Sequence, residues 1–101
     1  MMEKEQNSPA VIRRALRFSG RVQGVGFRYR AVHAALAVGA TGWVRNDRDG
    51  GVSMEIQGTE AQIDRVILAI ERGTYVLIEN LRAKTIPVVD GEYGFYAKDD
   101  E

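Results

Sequence analysis

Arg13-Arg-Ala-Leu-Arg-Phe-Ser-Gly20-Arg-Val-Gln-Gly-Val-Gly26-Phe-Arg28 reads as a strand, a shaped loop and the first turn of a helix. Leu16 and Phe18 alternate with Arg17 and Ser19, the period of a half-buried strand. Gly20, Gly24 and Gly26 then end the strand and open backbone conformations closed to most residues. Phe27 to Val38 follows with Ala31, Ala34, Ala35 and Val38 at helical spacing, and Gly39 supplies a C-terminal cap.

Beyond this unit, Thr41 to Asp47 reads as a strand around Trp43 and Val44. Asp49-Gly50-Gly51 supplies a turn, and Val52, Met54 and Ile56 alternate with polar residues, which completes a hairpin. Thr59 and Gln62 form a capping box ahead of Ile63, Val66, Ile67 and Ile70 at i, i+3, i+4 and i+7, and Gly73 closes this second helix. A fourth strand is expected between Tyr75 and Ile86, where the apolar run Tyr75 to Ile78 and the alternation Leu81, Ala83, Thr85 could belong to different segments. Pro87 stops it, and Tyr93 to Ala97 makes a short last strand after the Asp90-Gly91 turn. The order βαββαβ plus a terminal piece predicts a ferredoxin-like α/β (α+β) sandwich: an antiparallel sheet with two helices on one face. The expected division is an N-terminal tail over 1–11, one domain over 12–97 and a C-terminal tail over 98–101.

The 101 residues, 45% hydrophobic and 28% charged, suit one small domain that folds without a metal or disulfide. With no Cys, a disulfide framework, a thiolate zinc site and a cysteine nucleophile are excluded. Apolar runs are short and Met-Met-Glu-Lys-Glu-Gln-Asn lacks the apolar core of a signal peptide, so the expectation is a cytoplasmic protein without a membrane partner. A formal net charge of +0 argues against a general nucleic-acid binder. The zero hides an asymmetry: residues 10–50 carry eight arginines against Asp47 and Asp49, a net of +6, whereas residues 51–101 carry −5. An anionic ligand belongs in the basic half.

A glycine-rich loop between a strand and a helix can aim several backbone N–H groups into one concavity at the positive end of the helix dipole. Arg28 in the first turn would add a planar, always-charged donor fork. Spacing alone leaves a second reading open, in which the glycines only turn the chain and Arg28 is a solvated helix residue. The loop is not a Walker A motif, because Val-Gly follows Gly24, and it lacks the last glycine of a dinucleotide fingerprint. A helix from Arg28 to Gly39 and a returning strand from Thr41 to Asn46 each cover about 17 Å, so Asn46 comes back to the level of Arg28. Its amide can hold a water without adding charge beside a phosphate, or it can be an ordinary hairpin residue.

Gly20-Arg-Val-Gln-Gly-Val-Gly-Phe-Arg28, Gly42-Trp-Val-Arg-Asn46 and Asp49-Gly50 together resemble the acylphosphatase family, and the resemblance runs in element order across residues 12–97. It implies the ferredoxin-like sandwich and hydrolysis of acyl phosphates to a carboxylate and inorganic phosphate. It further implies that the backbone amides of Gly24, Val25, Gly26, Phe27 and Arg28, with the Arg28 guanidinium, bind the phosphoryl group, and that Asn46 orients the attacking water. No metal, cofactor or covalent phosphoenzyme is implied. The expected partners are a small-molecule acyl phosphate and a phosphate or sulfate anion in the loop, with the chain a monomer that binds no nucleic acid. Gly73 is followed by Thr74-Tyr75 where many members have Gly-Pro, and the N-terminal tail is longer than the minimal domain. The other readings are a non-catalytic anion-binding module, comparable to acylphosphatase-like domains joined to larger enzymes that handle carbamoyl phosphate, and an RNA-binding sandwich. Intact Arg28 and Asn46 favour the enzyme, and Arg17, Ser19, Ser53, Glu55 and Gln57 offer no aromatic platform for RNA.

His33, the only histidine, lies more than a helical turn beyond Arg28 and reads as a routine helix residue. Phe27 and Trp43 are expected to pack in the core. Asp47 and Asp49 flank a turn without clustered metal partners. Arg21, Arg30, Arg45 and Arg48 either steer anions towards the loop or form a solvated rim.

Overall fold

The computed structural model describes residues 9–100. Its elements are β1 (Ile12–Arg21), α1 (Phe27–Val38), β2 (Thr41–Asn46), β3 (Val52–Gly58), α2 (Glu60–Glu71), β4 (Leu77–Ile86) and β5 (Phe95–Ala97). Of the tail expected over 1–11, residues 1–8 lie outside the described residues.

The strand order is β4-β1-β3-β2-β5. β1 pairs antiparallel with β3 and β4, and β2 pairs antiparallel with β3. The four strands of the expected βαββαβ order thus form the antiparallel sheet, and the terminal piece, β5, adds to β2 in parallel at one edge and makes the sheet mixed. The turn after β4 reverses the chain, so β5 runs against β4. Every second strand of the antiparallel series shares a direction, and β5 therefore runs with β2, on whose free edge it lands. The crossing segment is fixed on the way: Val89 exchanges two 2.9 Å hydrogen bonds with the Gln57 side chain, and Gly42 N–H donates to Gly94 O at 3.0 Å.

Alternation along the strands puts Leu16, Phe18, Val44, Val52, Met54 and Ile56 on the face that meets both helices. They pack with Ala31 and Ala35 of α1 and with Ile63, Val66 and Ile70 of α2. The small residues of α1 let it lie close to the sheet. Two of the predicted helix ends form as expected: Gly39, at φ +80°, directs its N–H to Leu36 and Ala35, and Thr59 and Gln62 complete the capping box, whereas α2 ends at Glu71 with Arg72, not Gly73, as its C-cap. Gln62 Nε2 also donates to Val38 O at 2.7 Å, tying the start of α2 to the end of α1.

β4 is a single strand despite its mixed phase. Phe18 faces Leu81 and Ser19 faces Asn80, but Gly20 faces Ile78, so one extra β4 residue is accommodated there. A bulge of this kind switches the side-chain parity, which explains why the apolar run and the later alternation look like separate segments.

Arg13 is buried to 2% exposure on the opposite face of the sheet, beneath the segment that leads to β5. Its guanidinium makes a fork to Glu92 at 2.7 and 3.1 Å, with further bonds to Glu55 at 3.0 Å and Gln57 at 3.1 Å. The Glu92 hydrogen bond raises the Arg13 pKa above its ordinary value, against the opposing effect of burial. Burial pushes the Glu92 carboxyl up, but the hydrogen bonds from Arg13 and Thr41 outweigh it and leave the group below its usual range. Trp43, expected in the core, is only half-buried, because its parity on β2 differs from that of Val44. The Lys98 ammonium lies 4.3 Å and the Arg45 guanidinium 5.1 Å from its ring centre.

Candidate active site

The loop from β1 to α1 bends through Gly24 at φ +72° and Gly26 at φ +82°, a left-handed conformation that costs a side-chain-bearing residue about 1–2 kcal/mol. Gly26 is the N-cap of α1, but no side chain caps this helix and no acidic residue stands in its first turn. The N-terminal N–H groups of a helix lack intrahelical acceptors, so those of α1 remain directed into the space ahead of it. The start of α2, by contrast, is closed by its own capping box.

That space is a cavity of about 210 Å³ lined by Val22, Gly24, Gly26, Phe27, Arg28, Tyr29 and Asn46. Two predicted residues from separate elements, Arg28 at the start of α1 and Asn46 at the end of β2, thus meet at one hollow. Val25 does not line it; its side chain packs against the core. The Phe27 ring is buried edge-on against Phe18, with 4.8 Å between centroids.

Asn46 shares the inward parity of Val44 and is 9% exposed. Among the described residues no hydrogen bond occupies its side-chain amide, although a buried amide ordinarily finds a partner. Arg28 is partly exposed, and its Nη1 donates to Asp100 Oδ1 at 2.9 Å. A carboxylate from the segment assigned to a C-terminal tail thus sits on the arginine beside the hollow. Lys98 in the same segment donates its backbone N–H to Val44 O at 2.8 Å.

Gln23 is a residue that the loop's glycines overshadow in the sequence. Its Nε2 donates to Asp47 O at 2.7 Å and to Gly51 O at 2.8 Å. These carbonyls bracket the β2–β3 turn, so one amide clamps the loop to the hairpin that carries Asn46. The signal was present in a polar, two-donor side chain within an otherwise apolar and glycine loop, but its partners are distant in sequence.

Asp47 accepts from Ser53 Oγ at 2.6 Å and Arg45 Nε at 3.2 Å, and pairs with Arg17 at 3.1 Å. Asp49 pairs with Arg17 and accepts from Gly51 N–H; that backbone bond, ahead of the Arg17 charge, holds its carboxyl below the usual range. Both aspartates therefore brace the hairpin. Among the described residues no group of three or more His, Asp or Glu side chains is arranged to hold a metal ion, and no helix is long and apolar enough to cross a membrane. Arg30 is pinned by its Nη1 to Ala69 O at 3.0 Å, and His33 stands outside the cradle, its ring on Tyr29.

This arrangement offers uncapped helix N–H groups, a guanidinium and an unpaired buried amide around one phosphate-sized space. The acylphosphatase of Geobacillus kaustophilus is 54% identical over 55 residues, 54% of this chain and 58% of that enzyme, so the chain matches under two thirds of that relative. The acylphosphatase of Clostridium acetobutylicum is 43% identical over 77 residues, 75% of this chain and 85% of the enzyme. The solved structure of an acylphosphatase from Coxiella burnetii superposes with a TM-score of 0.78 at 28% identity, over 97% of this chain and 100% of that one. A profile of the acylphosphatase family matches residues 14–96, and with the fold, the loop and these relatives in agreement, the chain belongs to the acylphosphatase family.

Proposed function

We propose that this acylphosphatase, a hydrolase of the carboxyl–phosphate bond, works by binding the phosphoryl group in the Gly24–Arg28 cradle and delivering water from Asn46. The phosphoryl oxygens accept from the loop amides and from Arg28, exchanging the Asp100 carboxylate for substrate. Asn46 accepts a hydrogen bond from the attacking water and aligns it against the phosphorus, opposite the carboxylate leaving group. The P–O bond to the acyl group breaks as the new P–O bond forms, and a phosphoryl oxygen of the substrate takes the water's proton. The products are a carboxylate and inorganic phosphate. A carboxylate is a stable leaving group, so positioning and charge stabilisation carry the reaction and no strong general base is needed. The observation that carries the reading is the convergence of Arg28 and the partnerless Asn46 amide on one cavity.

All these groups come from one chain, which supports a monomer. The cytoplasm is the compartment proposed, since a charged acyl phosphate stays where it is made. The test is phosphate release from benzoyl phosphate, with and without EDTA, by the wild type, Arg28→Ala and Asn46→Ala. Turnover should be insensitive to EDTA. Arg28→Ala removes charge-assisted bonds worth about 1.5–3 kcal/mol each, weakening both affinity and rate. Asn46→Ala should keep its affinity for inorganic phosphate and lose turnover. Full turnover in Arg28→Ala, or an Asn46→Ala enzyme with normal kcat and lost phosphate affinity, overturns these roles.

A further inference from the structure

The face of the sheet turned away from the helices plays no part in the steps at the cradle. Strand register sets Trp43, Glu55, Ala15 and Lys84 in one row across it, and Arg17 beside Arg82 in the next. Ala15 is the shortest side chain of its row, so the surface dips between Trp43 and Lys84 into a hollow of about 510 Å³ that Arg17 and Arg82 also line. From Trp43 on β2 to Lys84 on β4 the row crosses three strand spacings, about 14 Å. Arg82 and Lys84 stand two residues apart on β4, both exposed, and among the described residues neither makes a hydrogen bond or an ion pair. The carboxylates nearby are already engaged: Glu55 by Arg13 at 3.0 Å, and Asp47 and Asp49 by Arg17.

We propose that this hollow is a nucleotide site, with the base against Trp43 and a di- or triphosphate on Arg82 and Lys84. Its floor is apolar at Ala15 and its polar groups are few and gathered at one end, the character of a small-molecule site. The indole offers a planar base an aromatic contact. Two unpartnered cations at successive same-face positions suit a ligand with more than one negative charge, and the guanidinium fork of Arg82 matches phosphate oxygens. Inorganic phosphate would use one end of the hollow and a nucleoside the other; only a nucleotide joins them across the row. Asn46 has the opposite parity to Trp43 on β2, so the sheet separates this site from the cradle and both can be filled at once. The site does not depend on what the cradle binds.

Trp43 is the only tryptophan of the chain, so its indole N–H NMR signal reports on the hollow directly, while calorimetry gives the affinity. The probes are ADP, pyrophosphate, adenosine and a short single-stranded oligoadenylate. ADP should shift the Trp43 signal and bind several-fold more tightly than each of the other three. The double variant Arg82→Ala, Lys84→Ala, on an exposed edge strand, should weaken ADP by about tenfold or more, and Arg28→Ala should leave its affinity unchanged. Pyrophosphate binding as tightly as ADP, or a Trp43 signal that ADP does not move, overturns the base contact. Tighter binding of the oligoadenylate overturns the free nucleotide as ligand in favour of a nucleic-acid strand. ADP affinity lost in Arg28→Ala and kept in the double variant places the nucleotide in the cradle and overturns the hollow.

Discussion

Gln23→Glu keeps the shape of a side chain and removes both of its donors. In the wild type, Nε2 supplies hydrogen bonds of 2.7 and 2.8 Å to Asp47 O and Gly51 O. Two neutral bonds at about 0.5–1.5 kcal/mol each amount to roughly 1–3 kcal/mol, and the new carboxylate also confronts two carbonyl oxygens. For a domain of this size each kcal/mol moves Tm by about 4–8 °C. Urea unfolding followed through Trp43 fluorescence measures the loss. The pH dependence has a definite sign: a carboxyl facing acceptors is harder to ionise in the folded state, so its folded pKa rises above the unfolded value near ~4.3. Its stability deficit relative to wild type is then smallest below that value, where the protonated acid can donate, and grows as pH rises through the folded pKa. Turnover should fall together with stability at neutral pH, because Asn46 immediately precedes one of the clamped carbonyls. A variant equal to wild type in Tm and kcat at pH 7, or a deficit that grows on acidification, would refute the clamp.

Glu92→Gln should destabilise the fold by about 2 kcal/mol, because Arg13 loses a charged partner where it is 2% exposed. The Glu92 carboxyl sits below its ordinary value of 4.5, so its contribution is full above that pH and lost as pH falls through the folded pKa; acid unfolding curves of wild type and variant should converge there. Gly42→Ala sets a Cβ onto the Glu55 carbonyl at φ +138° and should cost about 4 kcal/mol or more, whereas Gly24→Ala, with open space around it, should cost only about 1–2 kcal/mol in urea melts. Asp100→Asn frees Arg28 from an exposed ion pair and should tighten inhibition by inorganic phosphate by no more than about fivefold at low salt, a difference that disappears as salt is raised.

The local signals carried most of the fold. Alternation in β1 and β3, the Thr59–Gln62 box and the Gly39 stop each depend on neighbours within a few residues, and each appears as expected. What escaped depends on distant partners. Arg13 looks like any polar residue on a half-exposed strand until Glu92 arrives from the far side of the sheet. The last strand begins at Phe95 where Tyr93 was expected, because Gly94 at φ +69° turns its carbonyl to Gly42. At the candidate site, motif and helix-strand geometry bring Arg28 and Asn46 together on paper. They do not show that Asp100 lies on Arg28 or that Gln23 joins the two segments, since both contacts depend on the closed fold.

The segment that crosses from β4 to β5 also sets an order of events during synthesis. Arg28 and Asn46 belong to the first half of the chain, but Glu92, β5 and Asp100 come at the end of the described residues and complete the surroundings of Arg13, β2 and Arg28 respectively. A nascent chain that has emerged only through β4 carries every proposed catalytic group, yet the β2 edge is bare and Arg13 lacks its main carboxylate. Such pairings between sequence extremes are entropically expensive to close and slow folding. The proposed catalytic groups are therefore translated early and their surroundings are completed late, so ribosome-bound chains should gain full protease resistance only after residue 97 clears the exit tunnel.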